Sequence, residues 1–223
     1  LLQLMTQLAQ RATFETLFLY SPQPGHTFLG LSPENLVEVR KNEVRSDALG
    51  GSTWDRGPSP QKLGATRENT NKLSREHGFV LADLQEKYQT LTANSYVEQP
   101  ETVMSLPTIS HLHSSVCGER PSHIPPLAYP GALHPTPAIC GTPRASAEQF
   151  IHEHEPFDRG WYGGFLGWAT PDTAHFALGI RSLLLRESTV SLFSGVGVVE
   201  GSTAEDELSE LEQKIAPAFK FFS

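Results

Sequence analysis

The chain has 223 residues, 38% of them hydrophobic and 19% charged, an ordinary globular balance. Its 17 basic against 25 acidic residues leave a net charge of −8, which argues against a nucleic-acid partner, since such a partner needs a basic face. Two cysteines, Cys117 and Cys140, are too few for a disulfide framework and point to a reducing compartment, and no apolar run reaches the roughly 18 residues of a membrane helix.

The opening LLQLMTQLAQ spaces Leu1, Leu4, Met5 and Leu8 along one helical face, with no capping residue in front. The expectation is a helix cut in its first turn, hence part of a longer chain. Residues 13–20 (TFETLFLY) are rich in β-branched and aromatic side chains and predict a strand. SPQPGH is a turn, and residues 27–31 predict the second strand of a hairpin. Pro33 then restrains the backbone before Glu34. By pattern alone Glu34 is a solvated turn carboxylate. Its functional alternative is a general acid, which needs burial to raise its pKa.

Residues 44–53 (VRSDALGGST) predict a short strand running into Gly50-Gly51, which either lets backbone approach a ligand closely or simply makes a loop. TWDRGPSPQ reads as a linker-like loop. A long helix is predicted from about residue 66 to 91, with Leu73, Val80, Leu84 and Leu91 on its apolar face. Glu76 falls among them and points inward. A buried unpaired carboxylate is costly, so Glu76 requires a base, a lysine or a metal as partner. A structural salt bridge is the plainer of these readings.

Residues 93–130 read as irregular and proline-rich, apart from a strand over SHLHSSVCG that carries His111 and His113. No CxxC pair accompanies them, so they are taken as strand histidines rather than zinc ligands. A Pro-rich loop then leads through CGTP to a helix over about 145–154, and glycines 160, 163, 164 and 167 cluster around Trp161 and Tyr162. HEHE lacks the HExxH spacing of a zinc protease. Residues 174–182 and 188–199 predict a hairpin with RES between its strands. The first strand ends in Arg181, a side chain suited to bidentate carboxylate recognition but by default a surface arginine.

The last stretch, SGVGVVEGSTAEDELSELEQK, is a glycine-broken strand followed by an acidic helix with Ser202 and Glu205 as a capping box. Leu208, Leu211 and Ile215 make the stripe expected to face the core. Glu207, Glu210 and Lys214 repeat that spacing one residue out of phase, at the core margin. Two carboxylates one turn apart can share a divalent cation, and a lysine one turn on can meet an anion.

Taken together, FLGLSPENL, ALGGST, SREHGFV, HLHSSVCG, LHPTPAICGTP, EPFDRGWYGGFLGW, the IRS strand and FSGVGVV with its acidic helix resemble, in this order, the chorismate-utilising enzymes. That family includes isochorismate, salicylate, anthranilate and aminodeoxychorismate synthases. LHPTPAICGTP and EPFDRGWYGG are most similar to the isochorismate synthases of quinone (menaquinone or phylloquinone) or siderophore pathways. The resemblance implies an α+β fold of antiparallel β-sheets flanked by helices, the anthranilate synthase component I-like fold. Residues 1–223 are then the C-terminal part of one catalytic domain.

The same resemblance implies roles for particular residues. Glu34 matches the general acid that protonates the departing C4 hydroxyl. Gly51, Ser52, His134, Ala138 and Tyr162 match substrate-lining positions. Arg181 and Lys214 match groups that bind the chorismate carboxylates, and Gly195 offers a backbone donor. Glu76 and Glu210 match Mg2+ ligands, with Glu207 beside them through water. The family's water-activating lysine matches none of Lys41, Lys62, Lys72 or Lys87 and falls upstream of Leu1, so the chain by itself is expected to be inactive. The implied partner is chorismate or isochorismate, with no nucleic acid and no membrane. A monomer in the bacterial cytoplasm or the plastid stroma is the expectation. The alternatives are a salicylate synthase, which goes on to release pyruvate, and a non-catalytic binding protein.

Overall fold

The computed structural model describes residues 2–12, 14–53, 67–105 and 109–219. The predicted loop over TWDRGPSPQ lies almost wholly outside them, as do Lys62 and the predicted start of the long helix at residue 66. The chain begins with α1 (Leu2–Arg11), the hairpin β1 (Thr16–Gln23) and β2 (His26–Ser32), and a second hairpin β3 (Asn35–Arg40) and β4 (Glu43–Thr53). Then come α2 (Arg67–Leu91), β5 (Ala93–Ser105), β6 (Ser110–Glu119), α3 (Ala128–Leu133) and α4 (Arg144–His154). The last third holds β7 (Phe165–Ala169), β8 (Thr173–Leu178), β9 (Ser182–Arg186), β10 (Thr189–Phe193) and α5 (Ala204–Phe219).

The strands form two antiparallel sheets, in the orders β1-β2-β9-β10 and β5-β6-β4-β3-β8-β7. Each sheet buries one face under a helix. The apolar stripe of α1 sets Leu8 against Leu29 and Leu183 of the smaller sheet. The stripe of α2 sets Val80, Leu84 and Tyr88 against Leu36, Val44 and Val116 of the larger one. Each such side chain contributes about 1.5–3 kcal/mol on burial. Tyr88, buried to the hydroxyl, donates to Ser46 Oγ at 2.7 Å, and Ser46 donates on to the Leu36 carbonyl at 2.6 Å. No polar atom of that relay is left bare under α2.

The chain crosses between the sheets twice, at Ser32-Pro33-Glu34 and at Gly179-Ile180-Arg181. Because β2 pairs with β9 and β3 with β8, the two crossings lie side by side. Leu31 N donates to the Arg181 carbonyl at 3.2 Å and Leu178 N to the Glu34 carbonyl at 3.1 Å. This corrects the expected strand over 174–182. It breaks before Arg181, whose φ of +50° turns the backbone from one sheet into the other. The predicted RES turn stands, but it joins β9 to β10.

The glycine pair at the end of β4 is part of a strand rather than a free loop, and packing alone requires it. A Cβ on Gly50 would lie 2.8 Å from His77 Cα, and one on Gly51 would lie 2.6 Å from the Leu73 carbonyl oxygen. Gly51 also has φ +65°, where L side chains are strained. The pair lets α2 lie directly on the strand end, which is what brings Glu76 to that spot.

Candidate active site

A cavity of about 700 Å³ opens where the sheet crossings, the glycine end of β4, α2, the 137–142 loop and the middle of α5 meet. Glu34 enters it from the first crossing and Arg181 from the second. Glu34 is 4% exposed, so the solvated reading of this carboxylate is wrong. Its Oε1 is buried with no hydrogen-bond partner. Burial above all, and then the nearby charge of Asp47, push its pKa up to about 8, against the opposing pull of Lys214. At neutral pH Glu34 carries its proton.

On the same wall, β6 presents His111 directly opposite Ser52 of β4 in the ladder. An Arg181 guanidinium nitrogen lies 3.4 Å from His111 Nε2, and Ser52 Oγ lies 3.2 Å from Nδ1. A guanidinium can only donate, so Nε2 accepts and Nδ1–H donates to the serine. Burial and the charge of Arg181 hold this histidine well below its usual pKa, so it stays neutral. Burial also lowers Arg181 to about 10, with Glu210 opposing, and leaves it charged.

The third wall comes from β10 and α5. The Tyr162 ring stacks on Phe193 with centroids 5.2 Å apart, and its hydroxyl fills the space where a Cβ of Gly195 would stand. Lys214 Nζ donates to the Gly195 carbonyl at 2.9 Å and to Glu210 Oε1 at 2.6 Å. The carbonyl of Gly195 is thereby engaged within the protein.

α5 presents the stripe that was expected at the core margin. Glu207 and Glu210 are 7% and 9% exposed, while Leu208, expected to face the core, is 57% exposed. Charge is tolerated inside because it is paired: Glu207 with Lys72 of α2 and Glu210 with Lys214. The cap is also shifted by one residue. Thr203 Oγ1 accepts from Asp206 N at 3.2 Å and donates to its side chain at 2.8 Å, while Ser202 Oγ accepts from Val199 N in the preceding turn.

Across from α5, Glu76 Oε2 accepts from Gly51 N at 3.2 Å. Burial first, then the charge of Glu210, push Glu76 up to about 7, with Lys72 opposing. A half-buried carboxylate of α2 and a buried one of α5 thus face one cavity and repel each other. A hard cation that takes one or two protein carboxylates and keeps several waters fits this donor set. Among the described residues no three His, Cys, Asp or Glu side chains gather as a metal cage.

Of the residues singled out from sequence, the cavity is lined by Glu34, Gly51, Ser52, Glu76 and Ala138. Tyr162, Arg181, Gly195, Glu210 and Lys214 complete it. Two fall outside. His134 Nε2 bonds the Gly163 carbonyl at 2.8 Å and its ring packs against Phe165, so it pins the glycine-rich loop rather than lining the cavity. Glu207 is spent on Lys72. His111, taken from sequence as a plain strand histidine, belongs to the site. His113, two residues on, is the structural one, held by Asp47 Oδ1 at 3.0 Å.

The family model described as "Chorismate binding enzyme" matches residues 1–222. Isochorismate synthase MenF of Bacillus subtilis is 34% identical over 201 residues, 87% of this chain and 42% of that protein. In structure, the chain is similar to a putative 2,3-dihydroxybenzoate-specific isochorismate synthase, DhbC, from Bacillus anthracis, with a TM-score of 0.88 and 31% identity over 98% of this chain and 60% of that one. Anthranilate synthase component I from Streptococcus pneumoniae shares the fold, with a TM-score of 0.78 at 21% identity over 95% of this chain and 47% of that one. The expected α+β fold is therefore the observed one. The chain spans less than half the length of MenF, and no helix among the described residues is long and apolar enough to cross a membrane.

Proposed function

The chain belongs to the chorismate-binding enzyme family, and on that footing we propose that it carries the acid, the anion-binding groups and the cation site of an Mg2+-dependent isochorismate synthase. The reaction adds water at C2 of chorismate and expels the C4 hydroxyl. The observation that carries this reading is Glu34. Its proton stays on at neutral pH, its free oxygen is buried at the cavity wall, and a leaving hydroxyl needs such an acid. Relatives named isochorismate synthases, from bacteria and from chloroplasts, support this branch of the family and fit either bacterial cytoplasm or plastid for this protein.

Chorismate is a small dianion. Arg181 and Lys214 meet its carboxylates from two sides of the cavity. His111, kept neutral, spaces Arg181 from Ser52 and fixes both. Glu76 and Glu210 would hold Mg2+, which when bound supplies a positive charge that orients a substrate carboxylate and offsets its charge. Tyr162 and Ala138 close the wall against the ring. Arg181→Lys keeps the charge but loses the planar fork. It is expected to weaken chorismate binding about 10- to 100-fold, the scale of one charge-assisted bidentate contact, as read by calorimetric titration. Unchanged affinity would remove Arg181 from the carboxylate site.

Among the described residues the one lysine lining the cavity is Lys214, already held by Glu210 and Gly195. Lys87 is tied to Asp83 and two carbonyls, and Lys72 to Glu207. The 223-residue chain by itself is therefore expected to bind chorismate without converting it, and measurable conversion overturns that account. In a form of the protein that does turn over, product analysis with Mg2+ and with a chelator decides the reaction. Isochorismate alone, lost on chelation, is the expected result. Salicylate and pyruvate in its place would make the protein a salicylate synthase.

A further inference from the structure

Lys72 has no part in the chemistry above, yet it lies against the carboxylates of the site. It stands one turn before Glu76 on α2, with its side chain 15% exposed, and its Nζ is 3.7 Å from Glu76 Oε1. The same nitrogen donates to Glu207 Oε1 in a short contact. Glu207 precedes Glu210 by one turn on α5 and shares its inward face, but it does not line the cavity. Its second oxygen, Oε2, is buried with no hydrogen-bond partner. Three carboxylates from two helices are therefore each held by a lysine, Glu76 and Glu207 by Lys72 and Glu210 by Lys214.

The two lysines are not equivalent. Lys214 lines the cavity and also reaches the Gly195 carbonyl, so an anionic ligand can draw it from Glu210. Lys72 does not line the cavity and pairs with Glu76 and Glu207, within reach of the charge of Glu210. Its partner Glu207 also lies outside the cavity lining.

Carboxylate count matters to the ion. Mg2+ demands six near-octahedral oxygens, dehydrates reluctantly and is served by one or two carboxylates; Ca2+ takes six to eight oxygens in flexible geometry and gains from each added carboxylate. We infer that Lys72 is a positioning residue that withholds Glu207 from the cation and so fixes the site at two carboxylates, selecting Mg2+ over Ca2+. This rests on the metal reading above.

The test is calorimetric titration of the full chain with MgCl2 and with CaCl2. Wild type is expected to bind Mg2+ at least as tightly as Ca2+. Lys72→Met frees Glu207 and is expected to shift the ratio of the two dissociation constants about tenfold or more toward Ca2+, as a third carboxylate dictates. Lys72→Arg keeps the charge and is expected to retain the wild-type ratio. The double variant Lys72→Met/Glu207→Gln removes the freed carboxylate and is expected to restore it. Should Lys72→Met fail to fold by circular dichroism, Lys72→Gln, which keeps a donor but no charge, takes its place. A wild type that binds no Mg2+ overturns the metal reading and this inference with it. Mg2+ binding with an unaltered ratio in the folded variant overturns the inference alone.

Discussion

Glu34→Gln is expected to lower kcat about 10²- to 10⁴-fold with little change in KM, in any form of the protein that turns over chorismate, because it removes the proton donor and keeps the shape. The same substitution is expected to stabilise the fold at alkaline pH. An unfolded glutamate titrates near 4.5, while Glu34 in the fold titrates near 8. Between these values the folded state binds more protons than the unfolded one, so stability falls as pH rises. The loss is about 1.4 kcal/mol per pH unit where the two states differ by a full proton, and it levels off above the folded pKa. Glutamine has no proton to lose and removes this slope. Thermal melts of the two proteins at pH 5 and pH 9 read the effect: near-equal Tm at pH 5, and a higher Tm for Glu34→Gln at pH 9. A parallel pH dependence in both proteins would mean that Glu34 is ionised in the fold and is not the acid.

The difference between what sequence and structure disclose follows from the range of each interaction. The apolar stripe of α2 is local, so its period announced the helix and the inward Glu76 within it. The strand β5 was not legible. It carries Pro100, lies at the sheet edge and shifts register three times along β6, so neither its composition nor its alternation marks it. Nothing in the stretch AHFALGIRS marks a strand break before Arg181. The break there is set by two strands pairing across the crossing, a contact between residues about 150 positions apart in sequence. His111 was missed for the same reason. Its neighbours Ser52 and Arg181 come from β4 and from the second crossing, and HxH on a strand looks alike whether it faces a core or a cavity. The stripe of Glu207, Glu210 and Lys214 was visible by spacing. Which stripe of α5 faces inward depends on Lys72, 135 residues upstream of Glu207, and periodicity cannot weigh that partner.

The second large effect concerns the cation. Glu76→Gln removes one of two carboxylates that would hold it and leaves the amide oxygen as a weak ligand. The loss is expected to exceed about 100-fold in Mg2+ affinity, since a second carboxylate is half of the protein's charge toward the ion. The consequence can be read without turnover. A ligand that binds only the folded state adds about 2.7 kcal/mol at a hundred times its dissociation constant, so Mg2+ raises the Tm of the wild-type chain. In Glu76→Gln that rise is expected to vanish over the same concentrations. The variant without metal is expected to be at least as stable as wild type, because the repulsion between Glu76 and Glu210 is gone while Gly51 N can still donate to the remaining amide oxygen. These two readouts move in opposite directions, which a general loss of folding cannot imitate. A Glu76→Gln chain that keeps its Mg2+-dependent rise in Tm places the ion elsewhere and leaves Glu76 as the salt-bridge partner of Lys72.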